Sequence, residues 1–438
     1  MLKFGLCSRI ILTGLVFTAA SFPGITAQDT VSDLKNDSIQ LRLLELERTV
    51  TELSNTLAEQ KKKDGMDLLL READRLSAEQ EKTQIDVSKK YFSGARQQQG
   101  LNPNISFEMD FFGSISSSGT GPESKPSDFS YGNNGFYLRE AQLSLQAPLD
   151  PFTRGKAFIS ATPTGISVDE VYMEWLNLPL AMNLKAGFFK SEFGLLNRYH
   201  DHALPQFDRP RALVNLFGNE GLEGAGIEAN FLLPAVIAHV TSLDVSLLYG
   251  SNSQSFASDS AKNLMLTGQF LNYCDLSASS YIEVRLSGAG GQTDYPGAHL
   301  NSFVGSAGVS YKWAPVGREK YRTVEWKTEV LYSYRELPQG HHQSKGFYSS
   351  LHCKAGARFW LGGRVGYSEL PYDPSQSEWN YAVAVDFWQS EFVLTRLQYQ
   401  FNDTNIYERK EMAGPFPGGH SLILQVCWAM GPHKHEAY

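Results

Sequence analysis

The chain has 438 residues, a formal charge of −8, 12% aromatic residues and 4 cysteines. A polytopic helical membrane protein would carry several apolar runs of about 20 residues, and none follows residue 27. A disordered chain would be poor in aromatics, a disulfide scaffold would need more cysteines, and the acidic balance argues against nucleic acid as a partner.

Residues 1–27 open with Lys3 and Arg9, continue through an apolar stretch over 10–22, and offer a cleavage point at Ala27. This pattern predicts a secretory signal peptide; the apolar core is too short to span a membrane. Cys7 precedes that core, which leaves Cys274, Cys353 and Cys427, an odd number that builds no disulfide framework.

Residues 28–103 form a second, compositionally distinct segment, with 26 of 76 residues charged and only Tyr91 and Phe92 aromatic. Ile39, Leu43, Leu46, Val50, Leu53 and Leu57 step alternately by four and three. That is the seam of an α-helical coiled coil. The competing reading is an amphipathic helix packed on its own domain. About three heptads are marginal alone, so the expected role is a periplasmic clamp on chains already held together by another segment. The mixed Ile, Leu and Val choices do not fix the number of strands in the coil.

From residue 104 the period changes to two, and 104–438 holds 48 of the 53 aromatic residues. Ile105, Phe107, Met109 and Phe111, for example, alternate with Ser106, Glu108 and Asp110. Sixteen such segments lie near 104–117, 135–147, 153–162, 167–177, 182–193, 222–233, 236–250, 263–275, 280–289, 301–314, 322–336, 345–354, 357–369, 378–388, 392–402 and 419–431. Tight links alternate with long polar ones; 163–166 is short for its class and 315–321 long. This asymmetry predicts a 16-stranded antiparallel transmembrane β-barrel in the outer membrane, facing lipid outside and water inside, with the tight turns on the periplasmic side. Trp175, Trp313, Trp326, Tyr332, Tyr334, Trp379 and Tyr399 fall near the ends of apolar faces, where interfacial girdles are expected. A soluble sandwich, with those aromatics in its core, is the alternative.

The connection over 194–221 is the longest and is too apolar to extend into water. It is expected to fold into the lumen as a constriction, with a short helix begun at Pro210. Arg198, Arg209 and Arg211 would then bear on permeating anions, and His200 and His202 would add pH-dependent charge. Equally open is that Asp201 and Asp208 pair with these cations and fix the loop. His200 and His202 alone make a poor metal site. Lumen-facing cations are expected at Arg154, Lys156, Lys185, Arg285, Lys312, Lys327, Arg335, Arg358, Arg364 and Arg396, mixed with Glu140, Glu170, Glu174, Glu228, Glu283, Glu325 and Glu329.

The stretch 184–194, with Lys185, Gly187, Phe188, Phe189, Lys190, Phe193 and Gly194, resembles the strand-into-loop motif of porins of the phosphate-selective O/P type. So do Arg139-Glu140-Ala141 and the run 397–403, and the pattern continues through Asn197, Arg198 and Asp208-Arg209-Pro210. The resemblance implies a trimeric, passive outer-membrane channel with its constricting loop after the fifth strand. Phosphate-selective members use an arginine ladder and a lysine cluster. Here the cations are scattered, and 104–438 carries 25 Lys/Arg against 33 Asp/Glu. The last segment stops near Met430, so Tyr438 lies outside the alternation.

Gly224-Ala225-Gly226 imitates a dinucleotide fingerprint but has no following helix. His352 and His420 have no nucleophile beside them, and no hydrolase, metal or phosphate-loop motif is present. The expected function is a cofactor-free, non-enzymatic porin, a homotrimer joined through barrel wall and coiled coil. It would pass small polar or charged solutes, anions such as phosphate among them. The alternative is a structural barrel whose coiled coil tethers the envelope or a periplasmic partner.

Overall fold

The computed structural model describes residues 48–49, 51–52, 103–117, 134–163, 165–236, 238–249, 254–257, 264–293, 295, 299–406 and 418–431. Residues 1–27, where a signal peptide is expected, the tail after Gly431 and all six positions of the expected seam, Ile39, Leu43, Leu46, Val50, Leu53 and Leu57, lie outside the described residues; residues 48–49 and 51–52 are helical.

The strands among the other described residues form one antiparallel sheet. Its strands are β1 (Asn104–Ser116), β2 (Gly135–Pro148), β3 (Thr153–Thr162), β4 (Gly165–Leu178), β5 (Met182–Lys190), β6 (Glu223–Leu233), β7 (Val240–Tyr249) and β8 (Leu264–Ser277). They continue as β9 (Ser280–Gln292), β10 (Asn301–Trp313), β11 (Val324–Glu336), β12 (His341–Lys354), β13 (Phe359–Glu369), β14 (Ser377–Ser390), β15 (Val393–Thr404) and β16 (Gly419–Met430). Each pairs with its sequence neighbours, and β1 pairs with β16 from Phe107↔Met430 to Ser116↔Ser421, so the barrel closes without an edge.

Burial is inverted relative to a soluble protein. Along β1, Ser106, Glu108, Asp110 and Ser114 are buried, whereas Ile105 and Ile115 are more than half exposed. The same holds around the sheet: Ile166, Val171, Leu266, Val330, Leu361 and Val383 face outward, while Glu170, Gln269, Glu329, Arg364 and Gln398 are buried. A sandwich would bury its apolar face instead. An apolar exterior round a polar interior is the surface of a barrel set in lipid. Trp326, Tyr332, Trp379 and Tyr399 are each about 40% exposed. Around Trp379 the rings of Phe347, Tyr367 and Tyr381 cluster at centroid distances of 5.1–6.1 Å.

All sixteen expected segments are strands, with differences at their ends. The polar run His341-His342-Gln343-Ser344 belongs to β12, because Leu337 N–H bonds to Gly340 O (3.1 Å) in a tight turn where Gly340 has φ +93°. β7 begins at Val240, and β5 stops at Lys190. Arg358 is not on a strand face: it lies exposed in the β12–β13 turn, closed by Ala355 N–H to Phe359 O at 2.8 Å. Cys274, Cys353 and Cys427 form no disulfide.

Candidate functional site: the inward loop and the chamber beneath it

The connection 191–222 turns into the barrel immediately after β5. Gly194 makes the bend at φ +59°, and a Cβ there would collide with the Glu329 carboxylate. Glu329 accepts hydrogen bonds from Leu195 N–H (3.1 Å), Tyr348 OH (2.5 Å) and Ser306 Oγ. Beyond it, Phe193, Leu195 and Leu196 join helix α1 (Arg211–Phe217) in an apolar cluster with Tyr172, Phe189, Leu248, Phe256, Val304 and Leu331. Pro210 stands one residue before α1, its carbonyl accepting from Leu213 and Val214 N–H. All seven helix residues are buried. Full burial of a Leu or Phe side chain is worth about 1.5–3 kcal/mol, so apolar packing is the main hold on this arm.

The second arm, 200–209, is polar and docks on both sides of the β1–β16 seam. His202 donates through Nε2 to Glu108 (2.8 Å) and through Nδ1 to Glu140 (2.9 Å). Burial alone would depress the imidazole, but the two carboxylates outweigh it and push its pKa up to about 10. His200 faces Glu170 (3.4 Å) and Gln142 (3.3 Å), and its ring stacks on that of His202. Asp208 receives Arg364 Nη2 on both carboxylate oxygens (2.8 and 2.9 Å) and Gln398 Nε2 at 3.0 Å. Burial would raise the Asp208 pKa, but Arg364 and Arg211 outweigh it and hold the carboxyl below its usual range. Phe207 packs against Phe112 and Ile423.

The wall arginines anchor this loop. Arg139 donates to Phe207 O (2.8 Å), Arg285 to Gly194 O (3.2 Å), Arg364 to Asp208 O (2.7 Å) and Arg396 to Leu204 O (3.2 Å). Each also pairs with a carboxylate: Arg139 with Asp110, Arg285 with Glu283, Arg364 with Asp208 and Arg396 with Asp386. Arg335 does the same for another inward segment, donating to Gln254 O at 2.8 Å. With Asn215 bonded to Glu378 on β14 (2.7 Å) and Ser191 to Thr267 on β8 (2.7 Å), the loop reaches the wall on every side.

The remaining sequence candidates separate by position. Arg209 is buried within the loop, donating to the carbonyls of Leu196, Tyr199 and Asn219, with Asp201 3.5 Å away. Thus Asp201 meets a loop cation, and Asp208 pairs with a wall arginine while also feeling the charge of Arg211 in the loop. Arg211 is buried at the start of α1. Lys327 donates to Tyr199 OH (3.2 Å), Lys312 pairs with Glu325 (2.7 Å), and Lys156 lies over the Tyr172 ring. Among the described residues no three potential ligands converge as a metal site.

Period-two reading misses Arg139 and Asp169. β-Bulges at Asp110/Phe111 and Phe158/Ile159 turn Arg139-Glu140 and Asp169-Glu170 inward as adjacent pairs, all four buried. The signal was available: two consecutive charges in an alternating strand would put one into lipid, which costs about 2–4 kcal/mol for a basic residue at mid-membrane.

Below the loop, toward the tight turns, is a cavity of about 410 Å³ lined by Arg154, Glu174, Leu176, Asn183, Leu184, Lys185, Glu192, Arg198, Glu228, Asn230 and Asp244. Lys185 pairs with Glu228 at 2.7 Å, Arg154 with Glu174, and Arg198 with Glu192.

No family model matches the sequence. An uncharacterized protein of Aquifex aeolicus (strain VF5) is 35% identical over 125 residues; the match takes in 28% of this chain and only 26% of that protein. In fold, the chain is similar to solved outer-membrane porins. The channel DcaP of Acinetobacter baumannii has a TM-score of 0.52 at 12% identity, covering 77% of this chain and 99% of that one. Pseudomonas putida OprB has a TM-score of 0.52 at 10% identity, covering 76% and 95%. The anion-selective porin from Comamonas acidovorans has a TM-score of 0.51 at 7% identity, covering 75% and 99%. The chain therefore has the 16-stranded porin fold.

Proposed function

We propose that the protein is a Gram-negative outer-membrane porin, a channel for passive diffusion of small polar or charged solutes whose constriction is loop 191–222. The observation that carries this reading is the combination of an apolar exterior, a charged interior and a loop docked inside by the wall's own arginines. Arg198 and His200 are the loop groups that face passing solute, and Arg209, Arg211 and His202 hold the loop's shape. Phosphate can pass, but no dedicated phosphate ladder is proposed, because Arg139, Arg285, Arg364 and Arg396 each engage a carboxylate and a loop carbonyl. Purified protein in planar bilayers is expected to give stepwise conductance with weak ion preference, and Arg209→Ala is expected to leave the reversal potential in a salt gradient unchanged. A barrel that never conducts, at any voltage, overturns the channel; strong anion preference lost in Arg209→Ala would return that arginine to the filter.

The N-terminal proposals rest on sequence. Residues 1–27 direct export, and the Ile39–Leu57 seam clamps a homotrimer on the periplasmic side. Deleting 33–80 should lower the temperature at which trimers dissociate on native gels; an unchanged temperature rejects the clamp.

A further inference from the structure

The cavity beneath the loop has an ordered charge pattern. Arg154 on β3 is directly opposite Glu174 on β4, Glu174 is opposite Lys185 on β5, and Lys185 is opposite Glu228 on β6. Four successive strands thus carry +, −, +, − in one row across the wall. Neighbouring strands stand about 4.8 Å apart, so opposite charges repeat on the scale of a small molecule. The facing side is the loop pair Arg198–Glu192. Asp244, one strand further on, adds a carboxylate whose hydrogen-bond partner is the neutral Asn230 amide at 2.6 Å. The lining therefore carries four carboxylates against three cations. At the other end of the row the Arg154 side chain is 43% exposed, the most accessible of these cations.

We propose that this chamber is a binding site for small zwitterions bearing one ammonium and one carboxylate group, of amino-acid size. The ammonium goes to Asp244, whose carboxyl is met by the neutral Asn230 amide, and the carboxylate goes to Arg198 of the facing loop pair. Arg154, four strand spacings from Asp244, is about 19 Å away along the wall and beyond the reach of one amino acid. A simple anion makes no use of Asp244 and a simple cation makes no use of Arg198, so neither engages both groups. The chamber lies inside a pocket range of about 300–1,000 Å³ that suits small ligands, but its lining is charged, which selects against apolar solutes. The zwitterion displaces water without breaking the pairs already formed.

The site deepens the channel reading and rests on it for its role in transport, so binding and conduction are measured separately. Full-length protein in detergent is titrated calorimetrically with glutamine, lactate and ethanolamine. Glutamine is expected to bind at least about tenfold more tightly than either singly charged compound. Asp244→Asn and Arg198→Gln should each weaken glutamine about tenfold, the scale of one lost charge-assisted hydrogen bond. Arg198 lies in the loop outside the sheet, so its variant still reads the site should the strand variant fail to assemble. Lactate or ethanolamine binding as tightly as glutamine, or variants that bind glutamine like the wild type, overturns the proposal. Protein that conducts ions but does not bind glutamine overturns the site alone; protein that binds glutamine but never conducts keeps the site and overturns the channel.

Discussion

Replacing His202 by alanine is expected to raise single-channel conductance and open-channel noise while the barrel stays folded. The substitution leaves Glu108 and Glu140 buried without the imidazolium they share at 2.8 and 2.9 Å. Breaking a buried ion cluster by removing one partner costs about 3–5 kcal/mol. The energy is lost at the 200–209 arm, because α1 and Phe193–Leu196 are held separately by apolar burial worth about 1.5–3 kcal/mol per large side chain. The result is therefore a loosened arm rather than an ejected loop. The pH dependence has a definite sign. The folded-state pKa of His202 is about 10, above its ordinary 6.5, so its stabilising contribution is complete below pH 6.5 and is lost as pH rises through 10. Each pH unit in that window removes about 1.4 kcal/mol. Wild-type channels should become noisier between pH 6.5 and 10, and the Ala variant should show no such step. Identical conductance and identical pH profiles in the two proteins would show that His202 does not hold the loop.

The barrel was legible because lipid imposes a period: outward-facing strand residues must be apolar, and backbone that is not in the sheet is excluded from the lipid. Pairs such as Arg154↔Glu174 and Lys185↔Glu228 follow once the strands are placed. The inward loop was legible from its apolar content, and the helix over 211–217 from Pro210. What the pattern could not give was the assignment of each cation. The sequence leaves Arg209 open to facing solute or to pairing within the loop; a guanidinium has five donors, and here they go to backbone carbonyls of Leu196, Tyr199 and Asn219. Such pairings join positions far apart in sequence, as Arg364 and Asp208 do, and no local spacing encodes them. The bulges at Arg139 and Asp169 are intermediate: adjacent charges announce them, but only if the cost of a charge in lipid is weighed against strict alternation. Arg358 shows the same limit at a strand end, where a turn closed by Ala355 and Phe359 takes the arginine out of the sheet.

Replacing Arg364 by alanine should destabilise the docked loop about as much as loss of His202, with the opposite pH signature. The Arg364 side chain is 2% exposed; its Nη2 reaches both Asp208 carboxylate oxygens, its Nη1 bonds to the Asp208 carbonyl, and Nη2 and Nε bond to Asn380 Oδ1 at 2.9 and 3.2 Å. Removing it leaves the Asp208 carboxylate buried with Gln398 and the charge of Arg211, a loss of about 3–5 kcal/mol for a broken buried pair. Asp208→Ala in the same chain removes the stranded charge. The double variant should therefore be more stable than the sum of the two single losses predicts, with a coupling of about 0.5–3 kcal/mol. Because the Asp208 pKa is held below its ordinary 3.8, its stabilising contribution is present above pH 3.8 and disappears as pH falls below that value. Protease susceptibility of loop 191–222 at graded pH reads this directly. Wild type should become cleavable only in acid, whereas Arg364→Ala should already be cleavable at neutral pH. Additive losses in the double variant would mean that the two side chains hold the loop independently. In that case the remaining ties, Phe207 N–H to Gln398 (3.0 Å) and Arg139 to Phe207 O (2.8 Å), would carry this end of the loop.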